Sequence, residues 1–174
     1  ITLLLGMKPS QHEYKVMGLA PYGSSYHGNS SLEHFRNYDR VVGTKIISQK
    51  KFSDLYFSSK KALEGKRFDG IAWGLQHYLE ELLYKWVNNN VIKYKINNVI
   101  MSGGVAQNIK CMKTLIENPV IKNLWCGPIS GDGSLALGAC WALENQNSIK
   151  NKKILNTVYL GTGMKSEKIS LRMK

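Results

Sequence analysis

Residues 130 to 141 read SGDGSLALGACW, with one carboxylate, Asp132, held between Gly131 and Gly133. A second glycine turn, Ser102-Gly103-Gly104, lies upstream. Glycines let backbone approach a ligand closely and accept positive φ. A helix N-terminus after such a turn offers free N–H groups that attract anions. An acid beside an anion site makes sense when a cation bridges the two. Asp132 therefore reads either as a metal ligand facing nucleotide phosphates or as the N-cap of the helix that follows. Asn108, near the end of the first turn after Gly104, reads equally as a ligand contact or a surface amide.

A third stretch, HEYKVMGLAPYG at 12–23, places Glu13 and Lys15 ahead of a glycine- and proline-punctuated segment suited to lining a pocket. An exposed acid and base around a turn is the plain alternative. Neither G-x-x-x-x-G-K-[ST] nor G-x-G-x-x-G occurs, so the standard phosphate-loop signatures do not apply.

The elements that must position these groups follow from periodicity. Ile71, Leu75, Leu79, Leu82 and Trp86 recur at three or four residues and mark an amphipathic helix over 71–87, with Asp69 as its N-cap. Gln76, beside that stripe, reads as a partly buried structural amide, and His77 as a surface histidine. Val99-Ile100-Met101 predicts a short buried strand. Val105, Ala106, Ile109, Met112, Leu115 and Ile116 follow a helical stripe that Asn118-Pro119 stops. Leu124-Trp125-Cys126 predicts a second strand. A last helix, about 134–144, is apolar almost all round and should be deeply buried. The result is an α/β reading: a parallel βαβ core with flanking helices, right-handed in its crossover, both glycine turns leaving the carboxyl ends of their strands. Residues 24–65 are polar and read as an irregular insertion or lid, with a strand-like RVVGTKII at 40–47.

Composition narrows the class. The chain has 174 residues, 43% of them hydrophobic, a formal charge of +12 and three cysteines without a C-x-x-C pair. Scattered cysteines fit small buried side chains in a reducing cytoplasm. The positive charge is mostly Lys spread along the chain and not interleaved with aromatics, so it reads as solvated surface and not a nucleic-acid face. No apolar run approaches the roughly 20 residues of a membrane helix.

Taken in order, EYKVMGLAPYG, SGGVAQN and P-x-SGDGSLALGA resemble the antibiotic and nodulation-factor O-carbamoyltransferases, as does IAWGLQHYLEELL. The resemblance covers most of residues 5–163 and is weakest in 24–65. It implies an actin-like ATPase, ribonuclease H-like fold, with residues 1–157 as the second, C-terminal lobe of that domain. Residues 158–174 would begin a truncated C-terminal domain that makes carbamoyl-adenylate. It implies carbamoyl phosphate, ATP and a small hydroxylated acceptor as reactants, and a divalent metal, iron or another transition metal, with magnesium a further possibility. It further implies that an N-terminal lobe lies elsewhere in the same parent chain, and that the fragment alone is inactive. Residue by residue, Asp132 matches the metal-binding aspartate. Gly103, Gly104 and Asn108 match the nucleotide-contacting turn, Gly131 and Gly133 flank the metal, and Glu13 and Lys15 match the pocket loop. The family's H-x-x-x-H metal pair is absent here. SGGVA-x-N with a later G-D-x-G also occurs in enzymes that transfer threonylcarbamoyl to transfer RNA, which keeps that reaction open. So does the non-enzymatic reading of a nucleotide-binding module.

Overall fold

The computed structural model describes residues 1–146 apart from 50, 52, 53 and 128. The chain runs through α1 (Glu13–Leu19), a 3-10 turn (Ala20–Tyr22), α2 (Ser25–Arg36), β1 (Asp39–Val42), β2 (Lys45–Ser48), α3 (Leu55–Leu63) and α4 (Phe68–Tyr94). It continues with β3 (Asn98–Met101), a 3-10 turn (Gly104–Gln107), α5 (Ile109–Ile116), β4 (Asn123–Cys126) and α6 (Ser134–Gln146).

The 27 residues of α4 reach about 40 Å at 1.5 Å per residue, and the fold is organised along that length. Its first half carries Ile71, Ala72 and Tyr78 into a cluster with Leu5, Val16, Ala20, Leu32, Phe35 and Leu63. Its second half carries Leu83, Val87 and Val91 into a separate cluster with Ala106, Cys111, Met112, Leu115 and Ile121. One stripe is therefore too few. The buried positions spread around the helix because different partners cover different sides of it. Asp69 is not the N-cap. Arg67 holds that position, and Asp69 sits inside the first turn, accepting from the Gly70 N–H (2.9 Å) and pairing with Arg67 (2.7 Å). A first-turn acid still complements the helix dipole.

The described residues of 24–65 form helices and a strand pair rather than an irregular stretch. The strand-like stretch at 40–47 lies in a hairpin that the sequence reading did not foresee, with β1 antiparallel to β2 and Val41 opposite Ile46. It docks on α4 through Trp86, whose indole N–H donates to the Thr44 carbonyl (3.0 Å). Ahead of it, α2 lies against α4, burying Gly28, Ser31, Leu32 and Phe35. The approach is close. A Cβ on Gly74 would stand 2.7 Å from the Leu32 nitrogen, and one on Gly70 would stand 2.5 Å from the His27 carbonyl oxygen. Arg36 closes the end of the crossing with two hydrogen bonds to Glu81 (2.9 and 2.6 Å).

The βαβ unit is as expected: β3 and β4 pair in parallel, Val99 opposite Leu124 and Met101 opposite Cys126. α5 starts later than its stripe suggested, because Gly104–Gln107 coil into a 3-10 turn first. Among the described residues only one face of the sheet is covered. Val99, Met101, Leu124 and Cys126 pack on the second cluster, while Ile100 and Trp125 are 72% and 56% exposed. α6 departs from expectation in the same way. Its apolar surface is open, with Leu135 72% exposed. Among the described elements none lies over it, so a composition that favours burial has no partner here. Residues 158–174, read as the start of another domain, lie outside the described residues, as do 147–157. No described helix is long and apolar enough to cross a membrane.

Candidate functional site

The two glycine turns meet directly. The Gly103 N–H donates to the Ser130 carbonyl at 2.8 Å. Gly103 adopts φ +91°, a conformation that side chains resist, so glycine is required there by backbone shape. At Gly131 a Cβ would stand 2.7 Å from the Gln107 side-chain nitrogen, the end of an exposed, flexible side chain that can swing aside. Gln107 carried no signal in the sequence, yet its side chain lies over the 130–133 turn. Gly104 has open space where a Cβ would be, and it opens onto a cavity. Gly133 lies against Ile129.

Asp132 is exposed, and its carboxylate accepts no hydrogen bond among the described residues. The N–H groups of Ser134 and Leu135 instead reach the backbone carbonyls of Gly131 and Asp132 (both 3.1 Å). The capping role is therefore filled by these backbone carbonyls, and the Ser134 hydroxyl donates to the Gly131 carbonyl (2.9 Å). Among the described residues no three His, Cys, Asp or Glu side chains converge on a metal-sized site. The described donor set supplies one carboxylate, which does not by itself hold a metal.

Asn108 is committed inside the protein. Its side-chain oxygen accepts from the Cys111 N–H (3.1 Å), capping α5, and from the Gln76 amide (3.1 Å). Its nitrogen donates back to Gln76 (2.9 Å). The backbone donor at Cys111 fixes which end of the Asn108 amide faces α5. That fixes Gln76, whose nitrogen also donates to Glu80 (2.7 Å). Gln76 is 6% exposed, so the pairing is what makes its burial affordable. The structural reading of Gln76 holds. Asn108→Ala should cost about 1 kcal/mol for the cap, and more because the Gln76 oxygen loses its donor. A Gln76→Leu, Asn108→Ala double-mutant cycle in urea unfolding should give a coupling energy of about 0.5–3 kcal/mol. Additive single effects would mean that the amides do not act as a pair.

Two cavities flank Gln76, and both use it and Met17 as wall. The mainly apolar one, about 330 Å³, runs from Glu13 past Val16, Leu75 and Leu79 to Gly104 and Asn108. Glu13 is braced at its rim by the Ser10 N–H (2.7 Å). Its carboxyl lies below the usual range, first through its own backbone N–H and then through that of Ser10. Tyr78, also on this wall, is pushed up to about 12, chiefly by burial and then by Asp39. Its phenol therefore keeps its proton, which it donates to Asp39 (3.2 Å). Lys15 is not in this cavity; its ammonium lies 5.9 Å from the Tyr14 ring centroid. The structure thus joins Glu13, Gly104 and Asn108 across one cavity, and Gly103 with the 130–133 turn, and leaves Lys15 outside. The second cavity, about 320 Å³, is polar and lies between Pro21, α4 and α5. The pairing of His77 with Trp73 on its wall, rings stacked at 3.7 Å, was legible only as i, i+4 spacing. The cysteines behave as small core groups where buried: burial pushes the Cys111 thiol up to about 12.

Known proteins supply the remaining context. Residues 1–141 match the model of a family described as carbamoyltransferase N-terminus. An uncharacterized protein of Methanocaldococcus jannaschii is 32% identical over 97% of this chain and 32% of its own length. An uncharacterized protein of Synechocystis is 26% identical over 99% of this chain and 31% of its own. Nodulation protein NolNO of Sinorhizobium fredii is 26% identical over 90% of the chain and 24% of its own. The chain spans about a third of the length of the first two relatives.

Proposed function

The chain belongs to the carbamoyltransferase N-terminus family, and we propose that it is one lobe of an ATP-dependent O-carbamoyltransferase. The whole cytoplasmic enzyme would take the carbamoyl group of carbamoyl phosphate through carbamoyl-adenylate to a substrate hydroxyl. The lobe is read as actin-like, with its partner lobe and the adenylate-forming domain elsewhere in the parent protein. The observation that carries the reading is the junction of the two turns, Gly103 N–H on Ser130 O, at the carboxyl edge of a parallel strand pair. That is where open α/β sheets bind ligands.

The residues present suit a nucleotide. The apolar cavity offers Val16, Leu75, Leu79 and Val105 to a flat base, and Gly104 lets phosphate-bearing groups approach its backbone. When bound, ATP supplies the adenylate that activates the carbamoyl group. Gln76 orients Asn108, and Glu13 keeps a negative charge at the far rim. Asp132, whose carboxylate has no hydrogen-bond partner among the described residues, would give one ligand to a metal whose other ligands lie beyond those residues. No step of the reaction is assigned to that metal.

The full-length protein should release pyrophosphate from ATP only when carbamoyl phosphate is present. Pyrophosphate release that ignores carbamoyl phosphate, or none at all, would sink the reading.

A further inference from the structure

We infer that Gln107 recognises the carbamoyl group itself, its side-chain amide pairing with that group through two antiparallel hydrogen bonds. The inference rests on the carbamoyl-transfer reading and adds a specificity-determining residue to it.

Gln107 ends the 3-10 turn that begins at Gly104, and both residues line the apolar cavity. Its amide also lies over the 130–133 turn. The nitrogen is 2.7 Å and the oxygen 3.6 Å from where a Gly131 Cβ would stand. Gly131 has no Cβ, so the amide has room to turn there. Gln107 thus sits where the cavity meets the turn that carries Asp132.

The other polar side chains of the inner wall are committed. Gln76 and Asn108 bond each other, and Tyr78 donates to Asp39. At the far rim Glu13 accepts from the Ser10 N–H and from Thr2, and Tyr14 beside it is 62% exposed. Gln107 is exposed, and its amide makes no hydrogen bond among the described residues. It brings an uncommitted donor and acceptor to the glycine-turn end of the cavity.

A glutamine amide and a carbamoyl group each set one carbonyl beside one NH2. Two such groups pair donor to acceptor on both sides, as Gln76 and Asn108 do within this protein. An acetyl group has the carbonyl but no N–H, so it fills one side of the pair. Asp132 cannot replace the amide, because an ionised carboxylate has no donor for the carbonyl. Placement agrees with this chemistry. A base on the apolar wall and a phosphate at the Gly104 backbone leave the group on the phosphate's other side at Gln107.

The test is calorimetry on the full-length protein with two non-hydrolysable sulfamoyl adenosines, one carrying a carbamoyl group and the other an acetyl group. The quantity read is the ratio of their affinities. Gln107→Leu should lower the preference for the carbamoyl probe about fivefold, the worth of one neutral hydrogen bond. Its urea midpoint should not move, since the side chain it replaces is exposed. Gln107→Glu keeps the size and gives up the donor, and it should weaken both probes. A ratio unchanged in Gln107→Leu, whether both affinities hold or both fall alike, would overturn the pairing and leave the nucleotide reading standing. Binding of neither probe by the unmodified protein would overturn both.

Discussion

Gly74→Ala should destabilise the protein by about 1–3 kcal/mol, the cost of forcing atoms into a packed contact. It should do so although alanine improves helix propensity by about 1 kcal/mol. The added Cβ would stand 2.7 Å from the Leu32 nitrogen and 2.9 Å from the Gly28 carbonyl oxygen. Both are backbone atoms, so no rotamer change relieves the contact. α2 would have to withdraw from α4 as a body. It is held on both sides, by Leu32 and Phe35 in the core and by Arg36 on Glu81. Gly28 is a second point of the same crossing, since a Cβ there would meet the Trp73 ring at 2.2 Å. Gly18 makes the matched control. It lies within α1, is exposed, and has nothing within 4 Å of where its Cβ would be. Gly18→Ala should stabilise by about 0.5–1 kcal/mol. Urea midpoints that move in opposite directions for one and the same substitution would establish the close crossing. A neutral Gly74→Ala would mean that α2 packs more loosely than described.

That crossing also explains why α2 was hidden in the sequence. Its inner face is Gly28, Ser31, Leu32 and Phe35. Half of that face is glycine and serine, which read as loop residues because their usual role is in turns. Here their smallness is what brings two helices together. The βαβ unit was legible for the converse reason: Val99, Met101, Leu124 and Cys126 are apolar at positions where the sheet meets its helices. Apolarity misled at α6, Ile100 and Trp125. A hydrophobic surface reports that burial is favourable, without saying which segment provides the cover. Asn108 could not be assigned from type alone, because an amide that caps a helix and one that binds a ligand look the same. Its reciprocal bonds with Gln76 link positions 32 residues apart, and local spacing carries no trace of them. The paired glycine turns were legible as neighbours. What joins them, the Gly103 N–H on the Ser130 carbonyl, was not, since a backbone bond between turns leaves no periodic signal.

The sharpest functional test is Asp132→Ala in the full-length protein, which should lower carbamoyl transfer by at least about a hundredfold, on the scale of losses at metal centres. The structure makes this test unusually clean. The carboxylate is exposed and has no hydrogen-bond partner among the described residues. The turn that carries it is closed by backbone bonds at Ser134 and Leu135 and by the Ser134 hydroxyl, all of which alanine preserves. Stability should therefore change by no more than about 0.5 kcal/mol, as for surface substitutions generally. Lost turnover with an unchanged urea midpoint cannot then be blamed on the fold. Metal content divides the remaining roles. If the unmodified protein carries a stoichiometric metal and the variant does not, Asp132 is a ligand. If both carry it and transfer still fails, the carboxylate acts on the reactants instead. Undiminished turnover would remove Asp132 from the site, leaving the junction of Gly103 with Ser130 to bind nucleotide without an acid beside it.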